Sequence, residues 1–404
     1  MFRAVFCVVI LLLAASLRAE LVPLDAPPGS GSLAPGLASL DDGRAVLTWL
    51  EPDGDGHAFR FSLFDGESFG DAYTIARGKD WFANWADTPG LFVLPNGDWL
   101  AHWLVKSGPA TFAYDVVMAR SQDEGKSWNE PKIPHRDGTR TEHGFVSYFA
   151  WDEDVAGAVW LDGRETAVGE GSDHAGHHDH AGDMTLRAAR IGPDLRVSDK
   201  QLLDGRVCDC CMTASSMTDE GPLVIYRGRS DDEIRDIWKV YHDGEAWSEP
   251  ELLHADGWQI GGCPVNGPAL IADRTAVVAA WFTMPENTPQ VRLAISRDSG
   301  KEFSIQPAVG KGSALGRVSL AWIGEGFVLA WLNQDSSGAG LVLTAYSLSG
   351  EKRWEREVVA MDAGRISGFP RLATLGPDSL LLSWTAPGPE RKPRVNAAIV
   401  RVSR

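Results

Sequence analysis

The chain is poor in cysteine, with 5 in 404 residues, and poor in positive charge, with 38 Lys and Arg against 55 Asp and Glu. The formal net charge of −17 argues against a nucleic-acid partner, because neutralising phosphates takes an excess of Lys and Arg. The low cysteine count excludes a small disulfide-stapled scaffold. Long apolar runs are lacking too. The one run, Ala4–Ala15, is shorter than the ~20 residues that span a bilayer, so no stable membrane insertion is expected. A helical 3.6-residue period is also missing, which excludes a helical solenoid.

What is present is turn chemistry and tryptophan: 43 Gly, 23 Pro and 16 Trp in a chain that is 44% hydrophobic. That much apolar material builds a core, and that much Gly and Pro breaks long helices. At the N-terminus, Met1 and Arg3 precede the apolar run and Leu17-Arg18-Ala19 follows it. This is the pattern of a secretory signal peptide cleaved after Ala19. The expected organisation is a signal peptide over 1–19 and one domain over 20–404, in a secreted or periplasmic protein. Cys208, Cys210, Cys211 and Cys263 remain in the mature chain.

One unit repeats through that chain: a short apolar strand, a Gly or Asp turn, and a second apolar strand carrying an aromatic. The aromatics are Trp49, Trp103, Trp160, Tyr226, Trp281, Trp331 and Trp384, spaced by 54, 57, 66, 55, 50 and 53 residues. Periods of this size mean a solenoid or a propeller. A second hairpin follows each first one, as in Asp115–Ser121 with Trp128–Ile133 and in Val291–Ser296 with Phe303–Pro307. The predicted fold is all-β: a propeller of four-stranded antiparallel blades, with seven blades favoured over six. The last unit, Arg371–Arg404, has room for three strands, so Glu20–Ala26 is expected to supply the fourth and close the ring.

The turns between the third and fourth strands carry a motif. Unit two reads Ser121-Gln-Asp123-Glu-Gly125-Lys-Ser-Trp128, and unit five reads Ser296-Arg-Asp298-Ser-Gly300-Lys-Glu-Phe303. Weaker copies are Asp65-Gly66 to Phe69, Asp243-Gly244 to Trp247 and Ser349-Gly350 to Trp354. The Asp accepts backbone N–H groups, Gly supplies positive φ, and the aromatic packs between blades. These turns resemble the Asp box of the sialidase-like (BNR repeat) superfamily. The resemblance covers the mature chain as repeats and implies a propeller that binds or hydrolyses a glycan, with exo-glycosidase activity as the enzymatic form. It does not extend to the sialidase catalytic set: there is no Arg-Ile-Pro motif, and Tyr346 falls in an outer stretch.

Chain direction sorts the loops. The connections into each first strand, and those between second and third strands, share one face, which is the expected ligand face. Arg140, Arg164, Arg227, Arg229, Arg365 and Arg371 fall on it, as does Arg317. Guanidinium groups suit a carboxylate or sulfate, so a glycan or another small anionic ligand is the expected partner. The alternative is that these arginines pair with Asp162, Asp231, Asp232, Glu233 or Asp236 and brace the blades. Trp81, Trp85 and Trp258 share the face and suit either sugar stacking or packing. Glu142, Asp162 and His143 are the acid–base candidates nearest the mouth.

The same face holds Cys208, Cys210, Cys211 and Cys263, and a loop bearing His174, His177, His178 and His180. Disulfides and a thiolate site for zinc or copper are both open readings of the cysteines. The histidines offer zinc or copper ligands or a solvated insertion. A metal-handling propeller and a non-catalytic interaction platform therefore stand beside the glycan reading.

Overall fold

The computed structural model describes residues 18–167, 182–336 and 338–403. His174, His177, His178 and His180 lie outside the described residues. The described chain is a ring of seven antiparallel sheets. Blade 1 is Leu33–Ser39, Ala45–Asp53, Gly56–Phe64 and Tyr73–Gly78. Blade 2 is Gly90–Val93, Trp99–Lys106 and Tyr114–Ser121. Blade 3 is His143–Ala150, Ala156–Asp162, Thr185–Ile191 and Val197–Asp204. Blade 4 is Ala214–Thr218, Gly221–Arg227, Ile237–Tyr241 and Glu251–His254. Blade 5 is Ala269–Asp273, Ala276–Thr283, Gln290–Ser296 and Ser304–Ile305. Blade 6 is Ala314–Ile323, Gly326–Asp335, Gly338–Ser347 and Lys352–Met361.

Blade 7 joins Arg371–Gly376, Ser379–Pro387 and Pro393–Ser403 to the N-terminal strand Arg18–Leu24. The N-terminal strand lies at the outer edge and pairs antiparallel with Pro393–Ser403, from Arg18↔Ser403 to Leu24↔Ala397. The ring closes as expected, with the closing strand starting two residues earlier. Blade 2 departs from the pattern: its outer strand shrinks to the bridge Met118↔Lys132. Pro131 and Pro134 flank that bridge and cannot donate to a ladder.

The apolar core is divided among the blade interfaces. Each core cluster draws on two neighbouring blades, and together the clusters run round the ring. All seven repeat aromatics are buried, which accounts for the period in the sequence: each interface needs one large side chain at the same height.

The Asp-box turns have the expected geometry. Asp123 Oδ1 accepts Ser127 N at 2.8 Å and the Ser121 hydroxyl at 2.8 Å. Gly125 N donates to Ser121 Oγ at 2.8 Å. Trp128 Nε1 donates back to Gly125 O at 3.1 Å. Asp298 accepts Ser296 and Glu302 in the same way. Gly125 sits at φ +80, and a Cβ there would stand 2.5 Å from Phe61 Cζ and 3.0 Å from Trp99. The box thus presses on the interface of blades 1 and 2. Gly125→Ala is expected to cost about 1–3 kcal/mol, through overpacking and a left-handed backbone. Urea unfolding followed by tryptophan fluorescence reads the loss.

Candidate functional site

Beneath the ligand face, two carboxyls meet at one phenol; Asp87 and Tyr114 are buried, and Glu142, half-buried, is the member nearest solvent. Asp87 comes from the connection between blades 1 and 2, Tyr114 opens the third strand of blade 2, and Glu142 immediately precedes blade 3. Tyr114 Oη stands 2.7 Å from Asp87 Oδ2 and 2.8 Å from Glu142 Oε1. The other Asp87 oxygen accepts Phe145 N at 2.8 Å. Gly144 permits the approach, because a Cβ there would fall 1.8 Å from Asp87 Oδ2.

A phenol has one proton and here has two carboxyl neighbours. Both short contacts can be hydrogen bonds only if one carboxyl is itself protonated. Burial agrees with this: it pushes Asp87 up to about 7, against the pull of its Tyr114 and Phe145 bonds. Burial also drives Glu142 well above the carboxylate range, with the charges of Asp87, Asp209 and Cys263 acting in the same direction. The trio therefore holds a carboxylic acid near neutral pH, the state a general acid needs. Glu142 was legible in the sequence; Asp87 and Tyr114 were missed. The only signal for Asp87 was an acidic residue two positions after Trp85 on a ligand-face connection.

Asp162 and His143 go elsewhere, which corrects their assignment to the mouth. Both are fully buried, in a cluster formed by residues of blades 2 and 3. His143 stacks on His135 with ring centroids 3.9 Å apart. His143 Nε2 lies 3.1 Å from Asp137 and 3.5 Å from Asp162, and its Nδ1 lies 3.6 Å from Asp115. Asp162 also accepts Trp160 Nε1 at 2.8 Å and Arg164 at 2.7 and 2.6 Å. Arg164 Nη2 reaches Asp137 at 3.3 Å as well.

Burial opposes the charge on His143, but the bonds and charges of Asp137 and Asp162 outweigh it and raise His143 to about 9. For His135 burial wins, and its pKa falls. Two imidazoles and three carboxylates could in principle hold a metal. However, Val116 N already donates to His135 Nε2 at 3.3 Å, and Arg164 already neutralises Asp162. The cluster is a buried charge network, in which both His143 ring nitrogens and Asp137 Oδ2 keep ion-pair contacts but lack a well-formed hydrogen bond. In a histidine NMR titration, His143 is expected to lose its proton near pH 9 and His135 below the usual 6.5. A raised histidine pKa stabilises the fold below the unfolded value, and that contribution is lost as pH rises through 9.

The predicted arginines divide into three groups. Arg164 and Arg229 brace the blades; Arg229 pairs with Glu233 at 2.8 Å and with Asp209 at 3.6 Å. Arg227 is buried and turned inward. It donates to Asn266 O at 3.1 and 2.8 Å, to Phe282 O at 2.6 Å, and to Arg235 O. Its guanidinium lies 5.1 Å from the ring centre of Trp258, which is 4% exposed. Both were expected to meet a ligand; both are packing between blades 4 and 5.

The third group makes no ion pair among the described residues, but only Arg140 and Arg365 in it are exposed, whereas Arg317 is buried against the carbonyls of Ala363, Gly364 and Gly368. Arg371 reaches only Pro35 O at 3.3 Å and Thr88 Oγ1 at 3.4 Å, and burial lowers it to about 10. Arg317 donates to Gly364 O at 2.9 Å, and burial also lowers it to about 10. Arg317 lies over Trp85 at 5.0 Å, Trp85 stacks on Phe369 at 5.9 Å, and Arg371 lies 6.0 Å from Phe369. Arg317 and Trp85 line an open cavity of about 340 Å³, together with Val265, Asn266, Phe282 and Met284.

The four cysteines gather at the start of blade 4 and the connection into blade 5. Cys208 and Cys211 sulfurs are 3.4 Å apart, and Cys208, Cys210 and Cys211 sulfurs all lie within 4.8 Å of one another. Cys263 is exposed and adjoins Cys210. All four are free thiols, so the disulfides allowed by the sequence are not formed here.

No protein-family model matches the chain, and no curated protein matches it in sequence. Solved structures do resemble it. The BP39L lectin of Burkholderia pseudomallei superposes with TM-score 0.59 at 11% identity, over 91% of this chain and 96% of that one. A Dyadobacter fermentans protein of unknown function gives 0.56 at 14% identity, over 96% and 100%. The GH93 α-L-arabinofuranosidase of Fusarium graminearum, in complex with arabinobiose, gives 0.52 at 15% identity, over 94% and 97%. At these identities the likeness is one of fold, and the chain is a seven-bladed β-propeller similar along nearly its whole length to these proteins.

Proposed function

We propose that this chain is an exported propeller that binds a glycan at the mouth beside Asp87, Tyr114 and Glu142, and hydrolyses it there. The observation that carries the reading is the shared-proton trio, which keeps a carboxylic acid at neutral pH beneath the ligand face. The acid would protonate the leaving oxygen of a glycosidic bond, and the phenol would hold the second carboxyl in place. The cavity beside Trp85 is at the small end of ligand pockets, with room for one sugar ring. Among the described residues, Arg140 and Arg365 are exposed and make no ion pair with a carboxylate, which favours an anionic sugar bearing a carboxylate or sulfate. The signal-like N-terminus supports the export. The fold neighbours are consistent: one is named a lectin and another an arabinofuranosidase.

The test is an array of neutral, carboxylated and sulfated glycans together with a panel of aryl glycosides. Binding or turnover of an acidic glycan is expected, with turnover reduced at least about a hundredfold by Glu142→Gln. Binding without turnover would reduce the site to a lectin. Neither binding nor turnover would overturn the proposal.

A further inference from the structure

The cysteine cluster is not used by the glycan reading. We propose that Cys208, Cys210 and Cys211 form a three-thiolate site for one copper(I) ion, bordered by Cys263. Three sulfurs sharing an ion at ~2.3 Å in a plane stand about 4 Å apart. The three here fall in that range, each within 4.8 Å of the others and the Cys208–Cys211 pair at 3.4 Å. Cys208 and Cys211 are buried, so the site is shielded from bulk water. A structural zinc site takes four protein ligands, and a three-ligand zinc site completes its tetrahedron with water, which the burial of Cys208 and Cys211 disfavours. Here the fourth thiol, Cys263, is exposed and outside the mutual cluster, so three sulfurs converge. Soft thiolates in low coordination select copper(I).

A second observation is independent of the sulfurs. Arg235 is 3% exposed, its Nε and Nη1 have no oxygen or nitrogen acceptor among the described residues, and its guanidinium lies against Cys208. Its remaining terminal nitrogen pairs with Glu233. The charge of that guanidinium falls on Cys208, and that of Arg227 falls on Cys211. A thiol is a weak acceptor for two buried donors, and a thiolate is a stronger one. Thiolate sulfurs would accept from them, and two guanidinium charges would offset the net −2 of one copper(I) with three thiolates. Binding breaks three S–H bonds and forms three Cu–S bonds. The three protons go to solvent, and no electron changes hands.

The experiment uses the full chain, reduced under anaerobic conditions, with His174, His177, His178 and His180 replaced by Gln so that imidazoles supply no ligand. Copper(I) is titrated in against a chromogenic copper(I) chelator. One equivalent is expected to be withdrawn from the chelator and resist an excess of zinc(II). Cys208→Ser and Cys211→Ser should each weaken binding at least tenfold, while Cys263→Ser should keep the stoichiometry. X-ray absorption on the loaded parent protein should give three sulfurs in one shell, and this readout does not depend on any cysteine variant folding. Four sulfurs, nitrogen or oxygen ligands, displacement by zinc, or unchanged affinity in both serine variants would overturn the site. So would a Cys208–Cys211 disulfide in the chain recovered from its own compartment.

Discussion

Replacing Arg227 by methionine is expected to destabilise the propeller by about 3–5 kcal/mol while leaving the composition of the ligand mouth unchanged. The guanidinium donates to the carbonyls of Asn266, Phe282 and Arg235, which belong to three separate segments of blades 4 and 5. Each buried acceptor stripped of its donor costs about 1–3 kcal/mol. Methionine refills the stem volume beside Trp258, so the loss is of hydrogen bonds and charge rather than of packing. Against total stabilities of about 5–15 kcal/mol, this is a large fraction. The check is the urea midpoint by tryptophan fluorescence, read beside glycan binding of the folded fraction. A ligand-facing arginine would give the opposite result: weaker binding at unchanged stability.

Arg227 also shows where sequence reasoning reached its limit. Its place on the ligand face follows from chain direction alone, and so do those of Arg164, Arg229 and Trp258. What the chain direction does not contain is the inward or outward turn of each side chain, which the neighbouring blade decides. The ring itself was legible because every blade interface repeats one requirement, a large buried aromatic near the end of the second strand. Trp49, Trp160 and Trp281 therefore recur at nearly fixed intervals. The Asp boxes were legible because their hydrogen bonds are local: Asp123 reaches only to Ser121 and Ser127.

The site is the reverse case. Asp87 meets Tyr114 and Tyr114 meets Glu142 across 27 and 28 residues, and no spacing rule links residues that far apart. His143 was equally hidden. It stands next to Glu142 in sequence, but the strand alternation sends it into the blade interface rather than the mouth.

Asp87→Asn is expected to reverse part of the pH dependence of stability. The unfolded aspartate ionises near 3.9, whereas burial raises the folded group to about 7. Below pH 4 both states hold the proton. Between pH 4 and 7 the folded state keeps it and the unfolded state has lost it, so folding takes up a proton and stability falls as pH rises. Above 7 the full penalty is in place, up to about 4 kcal/mol for a shift of this size. Asparagine carries no such penalty, and its amide suits the site. Its oxygen can accept Phe145 N–H and its nitrogen can donate to the Tyr114 oxygen, which leaves the phenol proton for a Glu142 oxygen. The stability of Asp87→Asn relative to the parent should therefore climb between pH 4 and pH 7 and level off above. Taking the difference cancels the many surface carboxylates common to both proteins. A difference that stays flat across that window would mean that Asp87 is ionised in the folded state, and that the proton needed to bridge the second short contact resides on Glu142 alone.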